Sequence, residues 1–345
     1  MSKINIGRSG EKKEITPHEV FNWILDHAMI IIILILAVVV QCMRPSFFGV
    51  ANLVSLLQFT TARLPIALGV AGCIILAGTD LSGGRVAGLA GYLAAVMGIY
   101  VFPNSPIMAL ILVMLAGCVI GLVNGFCMGK FKLHPFIVTL ATQQITYGVY
   151  LTISNSAQLA MPDTYAGKFA TATLFQIQTG VNKAGAPIYA KVPIFVLFSL
   201  ILTVIMWFVW NKTAFGKNMF AIGSNTEAAR VSGVNVLGTI TGVFMLAGAL
   251  YGYTGFMEAC RIGSSTPTLG LNYENDAISA VVIGGVSFVG GTGKISGVIL
   301  GVFMMQLIIT GMTFLGITGN TVYIIKGAVI LFACILDMRK YRSKK

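Results

Sequence analysis

The chain has 345 residues, of which 56% are hydrophobic and only 10% charged, and it carries a formal charge of +12. Soluble domains carry about 25% charged residues, so a soluble core is excluded and an integral membrane protein is expected. The basic excess lies at the ends, in Lys3, Arg8, Lys12 and Lys13 and in Arg339, Lys340, Arg342, Lys344 and Lys345; short basic tails beside apolar runs give the positive-inside signal, not a nucleic-acid face.

Residues 1–27 are polar, without the early apolar core and small-residue cleavage site of a secretory signal, so they read as a cytoplasmic segment before a retained first span. From there to 338 the pattern is one all-α polytopic membrane domain. Ten apolar segments recur, at 28–43, 53–77, 86–102, 106–128, 135–154, 193–210, 235–257, 276–289, 295–315 and 322–338. The eighth is short for a span and reads as re-entrant or broken. With the N-terminus in the cytoplasm, Lys130, Lys132, Lys212, Lys217, Arg230, Lys294 and the basic tail at 339–345 all fall inside. Residues 155–192 then form the longest outer connection, either a plain loop or a docking cap. The segment GTDLSGGRVAG, 78–88, is echoed by GVSFVGGTGKISG, 285–297, a weak internal repeat of the sort found in transporters.

No chemistry of its own is visible. Gly-Lys occurs at 129–130, 167–168, 216–217 and 293–294, each time without the upstream glycine and following Ser or Thr of a P-loop. The six cysteines show no C-x-x-C, and His18, His27 and His134 are too dispersed for a metal cluster. No cofactor is expected on this chain; any ATP and Mg2+ belong to a partner.

The largest inner connection, 211–234, contains a capping-box pattern at Ser224 and Glu227. It predicts a short helix over 225–232, with Glu227 and Arg230 three apart and Gly233 ending it in a left-handed conformation. Such a helix presents Ala228, Ala229 and Val231 to a partner's groove, or is an ordinary interfacial helix.

In this setting EAARVSGVNV resembles the coupling loop of permease subunits in ATP-binding-cassette importers. ALGVAGCIILAGTDLSGGR and RIGSSTPTLGLNYENDAISAVVIGGVSFVGG resemble the branched-chain amino acid and monosaccharide permease family, over about residues 45–338. Within that family the coupling loop and GTDLSGG are most similar to the galactose and methyl-galactoside branch. The chain departs from the commonest forms at Gly83, often a small apolar residue, and at Asn275, commonly Leu.

The resemblance implies a ten-helix fold like that of the vitamin B12 importer and two permease copies flanking one path in a bacterial inner membrane. It also implies an ATPase subunit below and a periplasmic binding protein delivering a monosaccharide above. Ribose, xylose or a nucleoside are alternative cargoes. An ion-coupled secondary transporter is a rival reading that would need an intramembrane carboxylate, for which Asp80 is the candidate; an assembly protein is another, with no need of a capped inner helix.

Polar residues inside apolar runs are the pathway candidates: Gln58, Thr61, Thr79, Asp80, Ser82, Gln143, Gln144, Glu274 and Asp276. Asp80 pairs with Arg85 if Gly83 and Gly84 fold the chain back, caps the following helix together with Ser82, or bonds sugar hydroxyls directly. Gln143 and Gln144 serve as interhelical bonds or line a path. Glu258 and Arg261 form a local ion pair, and Glu274 and Asp276, just outside the short segment, line an entrance or meet the binding protein.

Overall fold

The computed structural model describes residues 28–181, 185–317 and 319–342. The expected segments at 1–27 and 343–345 lie outside them. Each predicted apolar segment falls on a helix: α1 (Ala28–Met43), α2 (Val50–Ile75), α3 (Gly83–Val96, continued by a π-helical turn, Met97–Val101), α4 (Pro106–Phe131), α5 (Pro135–Ser154), α6 (Ile194–Lys212), α9 (Val236–Ile262), α10 (Tyr273–Ile283), α11 (Ile295–Phe314) and α12 (Asn320–Arg342). Two further helices, α7 (Ala214–Ser224) and α8 (Thr226–Val231), occupy the connection between α6 and α9. Among the described residues, six helices have both the length and the apolarity to cross a bilayer: α2, α3 with its π turn, α4, α6, α9 and α11.

Helix ends follow local chemistry. Pro106 and Pro135 open α4 and α5, where a missing N–H costs nothing. Asn235 Oδ1 accepts from Gly238 N at 2.9 Å to start α9, and Gly263, at φ +83°, stops it. Helix α10 has 11 residues, about 16 Å at 1.5 Å per residue, roughly half a bilayer. It covers 273–283 and not 276–289, because Gly284 and Gly285 end it and a glycine-rich loop runs on to α11.

Helix α9 is the axis of the bundle. From Leu250 to Cys260 every residue is buried, as is every residue of α2 from Leu64 to Ile75, the signature of helices enclosed by other helices. Against α9 lies α4. A Cβ on Gly117, Gly121 or Gly125 would run into the backbone of Gly248, Phe244 or Thr241. This four-residue glycine spacing lets two backbones approach directly, which is how helices associate when lipid removes the hydrophobic drive. The outer faces of α1, α4 and α6 remain apolar and exposed, with Ile35, Val119 and Val204 each more than half exposed, as suits helices bathed in hydrocarbon.

The fold is not wholly α-helical. β2 (Thr173–Val181) and β3 (Pro187–Pro193) form an antiparallel hairpin, and β1 (Leu159–Ala160) pairs with β4 (Ser264–Ser265), Leu159 opposite Ser265. Extended, β-favouring runs on either side of the turn signal make the hairpin; only the turn had been read from the sequence. The hairpin marks one end of the bundle, the upper end here. At the lower end lie Lys132, α7 and α8. The loop 284–294 also reaches the lower end, Gly291 N donating to Ile75 O at 2.8 Å, so the two repeat segments converge there.

Candidate functional site

After α2 the chain turns back into the bundle, with Ala77 left-handed at φ 58°, and carries Asp80 to the side of Tyr251 in the middle of α9. Asp80 is 1% exposed. Its Oδ1 accepts from Ser82 N at 2.9 Å and from Ser82 Oγ at 2.6 Å. Ser82 Oγ in turn accepts from Asn124 Nδ2 at 3.1 Å, and Asn124 Oδ1 accepts from Thr142 Oγ1 at 2.6 Å. Thr139 Oγ1 donates to the Thr79 carbonyl at 3.1 Å. A continuous polar chain therefore joins the α2–α3 turn to α4 and α5, with donors and acceptors matched as burial requires.

This corrects one expectation. Gly83 and Gly84 do not fold the chain back; they begin α3, a regular helix that carries Arg85 away from Asp80. The Arg85 guanidinium lies 3.9 Å above the Tyr147 ring and reaches the Pro267 carbonyl only at 3.5 Å. Asp80 acts instead as a local cap, on the Ser82 amide one step ahead of α3, while the Ser82 side chain makes no capping bond into the helix. Gly83 lies under Tyr251, whose ring carbon would be 3.0 Å from an added Cβ; a small apolar residue there would crowd the ring.

Glu274 and Asp276 belong to the first turn of α10, not to the connection before it. Glu274 is 4% exposed. Its Oε1 accepts from Gln143 Nε2 at 3.3 Å, and its Oε2 is buried with no hydrogen-bond partner among the described residues. Asp276 accepts from Lys326 Nζ at 2.8 and 2.9 Å, tying α10 to α12. Gln144 is exposed on an otherwise apolar face of α5, and Asn275 is exposed beside Asn272. The remaining pathway candidates stand apart from these groups. Thr61 Oγ1 donates to carbonyls of its own helix, Leu57 at 2.8 Å and Gln58 at 3.1 Å, and Gln58 Nε2 ties α2 to the hairpin through Lys191 O at 2.8 Å.

Among the polar residues inside apolar runs that the sequence reading did not single out are Arg63, Asn124 and Lys326. Glu258, fully buried, is held by Arg261 at 2.7 Å, as its spacing suggests, and also by Arg63 at 3.1 Å from α2. Arg63 stacks 3.3 Å from the Tyr273 ring centroid. An arginine within an apolar run is itself the signal that would have found it.

At the lower end α8 forms, but Asn225 caps it, with Oδ1 accepting from Ala228 N at 2.9 Å. Ser224 Oγ donates to Phe220 O within α7; α7 runs up to Ser224, which moves the helix start by one residue and leaves Ser224 out of the cap position. Glu227 turns to Arg230 at 2.6 Å and both are exposed, so no capping box closes. Gly233 is left-handed at φ +83°. Ala229 is 5% exposed, packed against its own chain, and is not presented outward; Ala228 and Val231 are, Val231 being 80% exposed. A cleft of about 590 Å³ separates α8 from the α4–α5 turn, lined by Lys132, Leu133 and Arg230 among others.

A helical membrane bundle with a hydrogen-bonded polar interior and a short capped helix at one end suits a permease. The chain belongs to the family described as branched-chain amino acid transport system / permease component, which matches residues 52–334. It is 40% identical over 336 residues to the galactose/methyl galactoside import permease protein MglC of Salmonella typhimurium, covering 94% of this chain and 97% of that one. The same figures hold for the Escherichia coli protein of that name. The ribose import permease protein RbsC of Escherichia coli is 32% identical over 319 residues, 92% of this chain and 95% of that one. No solved structure gives a significant match.

Proposed function

We propose that the chain is the membrane subunit of an ATP-driven importer for galactose or methyl galactosides. The 40% identity to import permeases of that specificity, end to end on both chains, carries this reading. Ribose is the second reading, supported by the 32% relationship. The chain performs no catalysis; ATP and Mg2+ are bound by a separate ATPase. A periplasmic binding protein supplies the sugar, and a second copy of the chain completes the path in a ten-helix arrangement like that of the vitamin B12 importer. The domain comprises 28–338 in the bacterial inner membrane, with both termini, the 211–234 connection and the 339–345 tail cytoplasmic and 155–192 periplasmic.

On this reading each polar group has a mechanical or a recognition role. The Asp80–Ser82–Asn124–Thr142 chain locks α3, α4 and α5 into one body. The exposed Gln144 finds its partners in a water-filled path or in the second copy, since an unsatisfied amide in hydrocarbon costs several kcal/mol. Helix α8, with Ala228 and Val231 outward, transmits ATPase closure to the spans. Competition for uptake by a panel of labelled sugars tests the specificity. Galactose and methyl galactoside should compete best; preferential uptake of ribose would favour the second reading.

A further inference from the structure

We infer that Glu274, Gln143 and Arg85 form the point at which the permease itself recognises a sugar; this rests on the import reading. Glu274 has a buried carboxylate with one oxygen, Oε2, lacking any partner among the described residues. A buried carboxyl oxygen without a bond is costly. The backbone makes room for it: a Cβ on Gly84 would fall on Oε2 itself. Among the described residues, the one hydrogen bond it receives from another side chain, from Gln143, is long at 3.3 Å. Next to it Arg85 has five donors and spends one, at 3.5 Å, while Tyr147 beneath the guanidinium fixes its plane. Arg85, Gln143 and Tyr147 are each partly exposed, on the α3 and α5 side of the cluster.

An unfilled acceptor, an underused cationic donor and an amide offering both functions match a row of sugar hydroxyls, each of which donates and accepts. The placement fits as well. Gly84 and Ala87 of α3 bracket this level, and Ala87 meets Gly255 of α9, past the midpoint of that 27-residue helix. The carboxylate projects from the first turn of an 11-residue helix that starts inside the bundle, and discontinuous helices that begin near mid-depth are where transporters build substrate sites.

The test uses the complete importer in proteoliposomes, with galactose and its singly deoxygenated analogues, each at saturating loaded binding protein. Selectivity of the binding protein then cancels between wild type and variant. Glu274→Gln should leave subunit assembly in place and lower galactose uptake roughly tenfold, the scale of one strong hydrogen bond. One deoxy analogue, carried roughly tenfold worse than galactose by wild type, should be carried about as well as galactose by the variant. An assembled Glu274→Gln importer with unchanged uptake, or with the wild-type analogue profile, overturns the site. If that variant does not assemble, Gln143→Leu and Arg85→Gln provide the same readout, and failure of all three to assemble assigns the cluster to architecture alone. A wild-type complex that hydrolyses ATP but carries no sugar overturns the import reading instead.

Discussion

Asp80 and Glu258 are both almost completely buried, yet they are tolerated in different ways. Asp80 is stabilised by its own neighbour, through two bonds from Ser82, so removing the acceptor strands two donors. Asp80→Leu should lower thermal stability in detergent by about 1–3 kcal/mol per stranded group, whereas Asp80→Asn keeps an acceptor oxygen and should cost less. Because Arg85 is not its partner, Asp80→Asn and Arg85→Gln should be additive within about 0.5 kcal/mol; a larger coupling energy would restore the ion pair. Glu258 instead neutralises two arginines. Glu258→Gln should cost about 3–5 kcal/mol, the cost of breaking a buried pair from one side, read from unfolding in detergent. Sequence alone displays the Arg261 half of this triad, since three residues is a helical spacing. The Arg63 half spans 195 positions between Arg63 and Glu258 and depends on how α2 packs on α9. The same holds for Asn124, whose partners lie in two other elements.

Among the elements, apolar helices are the most legible because a bilayer imposes one length and one polarity on all of them. What resists reading is what the bilayer does not dictate: the β2–β3 hairpin, the separate helix α7, and the choice between Ser224 and Asn225 as cap. That choice is settled by α7 continuing to Ser224. Asn225→Ala should therefore destabilise α8 by about 1 kcal/mol while Ser224→Ala leaves it formed, as backbone hydrogen exchange over 226–231 would show. Placing Ala229 inward also moves the docking test. Val231→Asp, at a position 80% exposed, should leave the permease folded and weaken capture of the ATPase, whereas Ala229→Asp should disrupt α8 itself. Equal ATPase capture by Val231→Asp and wild type would remove α8 from the docking surface. In the bundle, Gly121→Leu must push α4 off the Phe244 carbonyl and should abolish recovery of monodisperse protein.

On the proposed function, the whole molecule is a scaffold that moves a sugar and leaves energy conversion to another subunit. Apart from Glu274, the interior carboxylates among the described residues are fixed by neighbours: Asp80 by Ser82, Glu258 by Arg63 and Arg261, and Asp276 by Lys326. A scaffold tied in this way suits rigid bodies rocking about fixed contacts and gives an ion-coupled carrier few titrating groups to use. The measurement that bears most directly on this is sugar accumulation in proteoliposomes holding the permease with its ATPase and loaded binding protein. Galactose should accumulate only when ATP is supplied to the ATPase, and not at all with the permease alone under a proton or sodium gradient. Accumulation driven by either gradient in the absence of the ATPase would contradict the account.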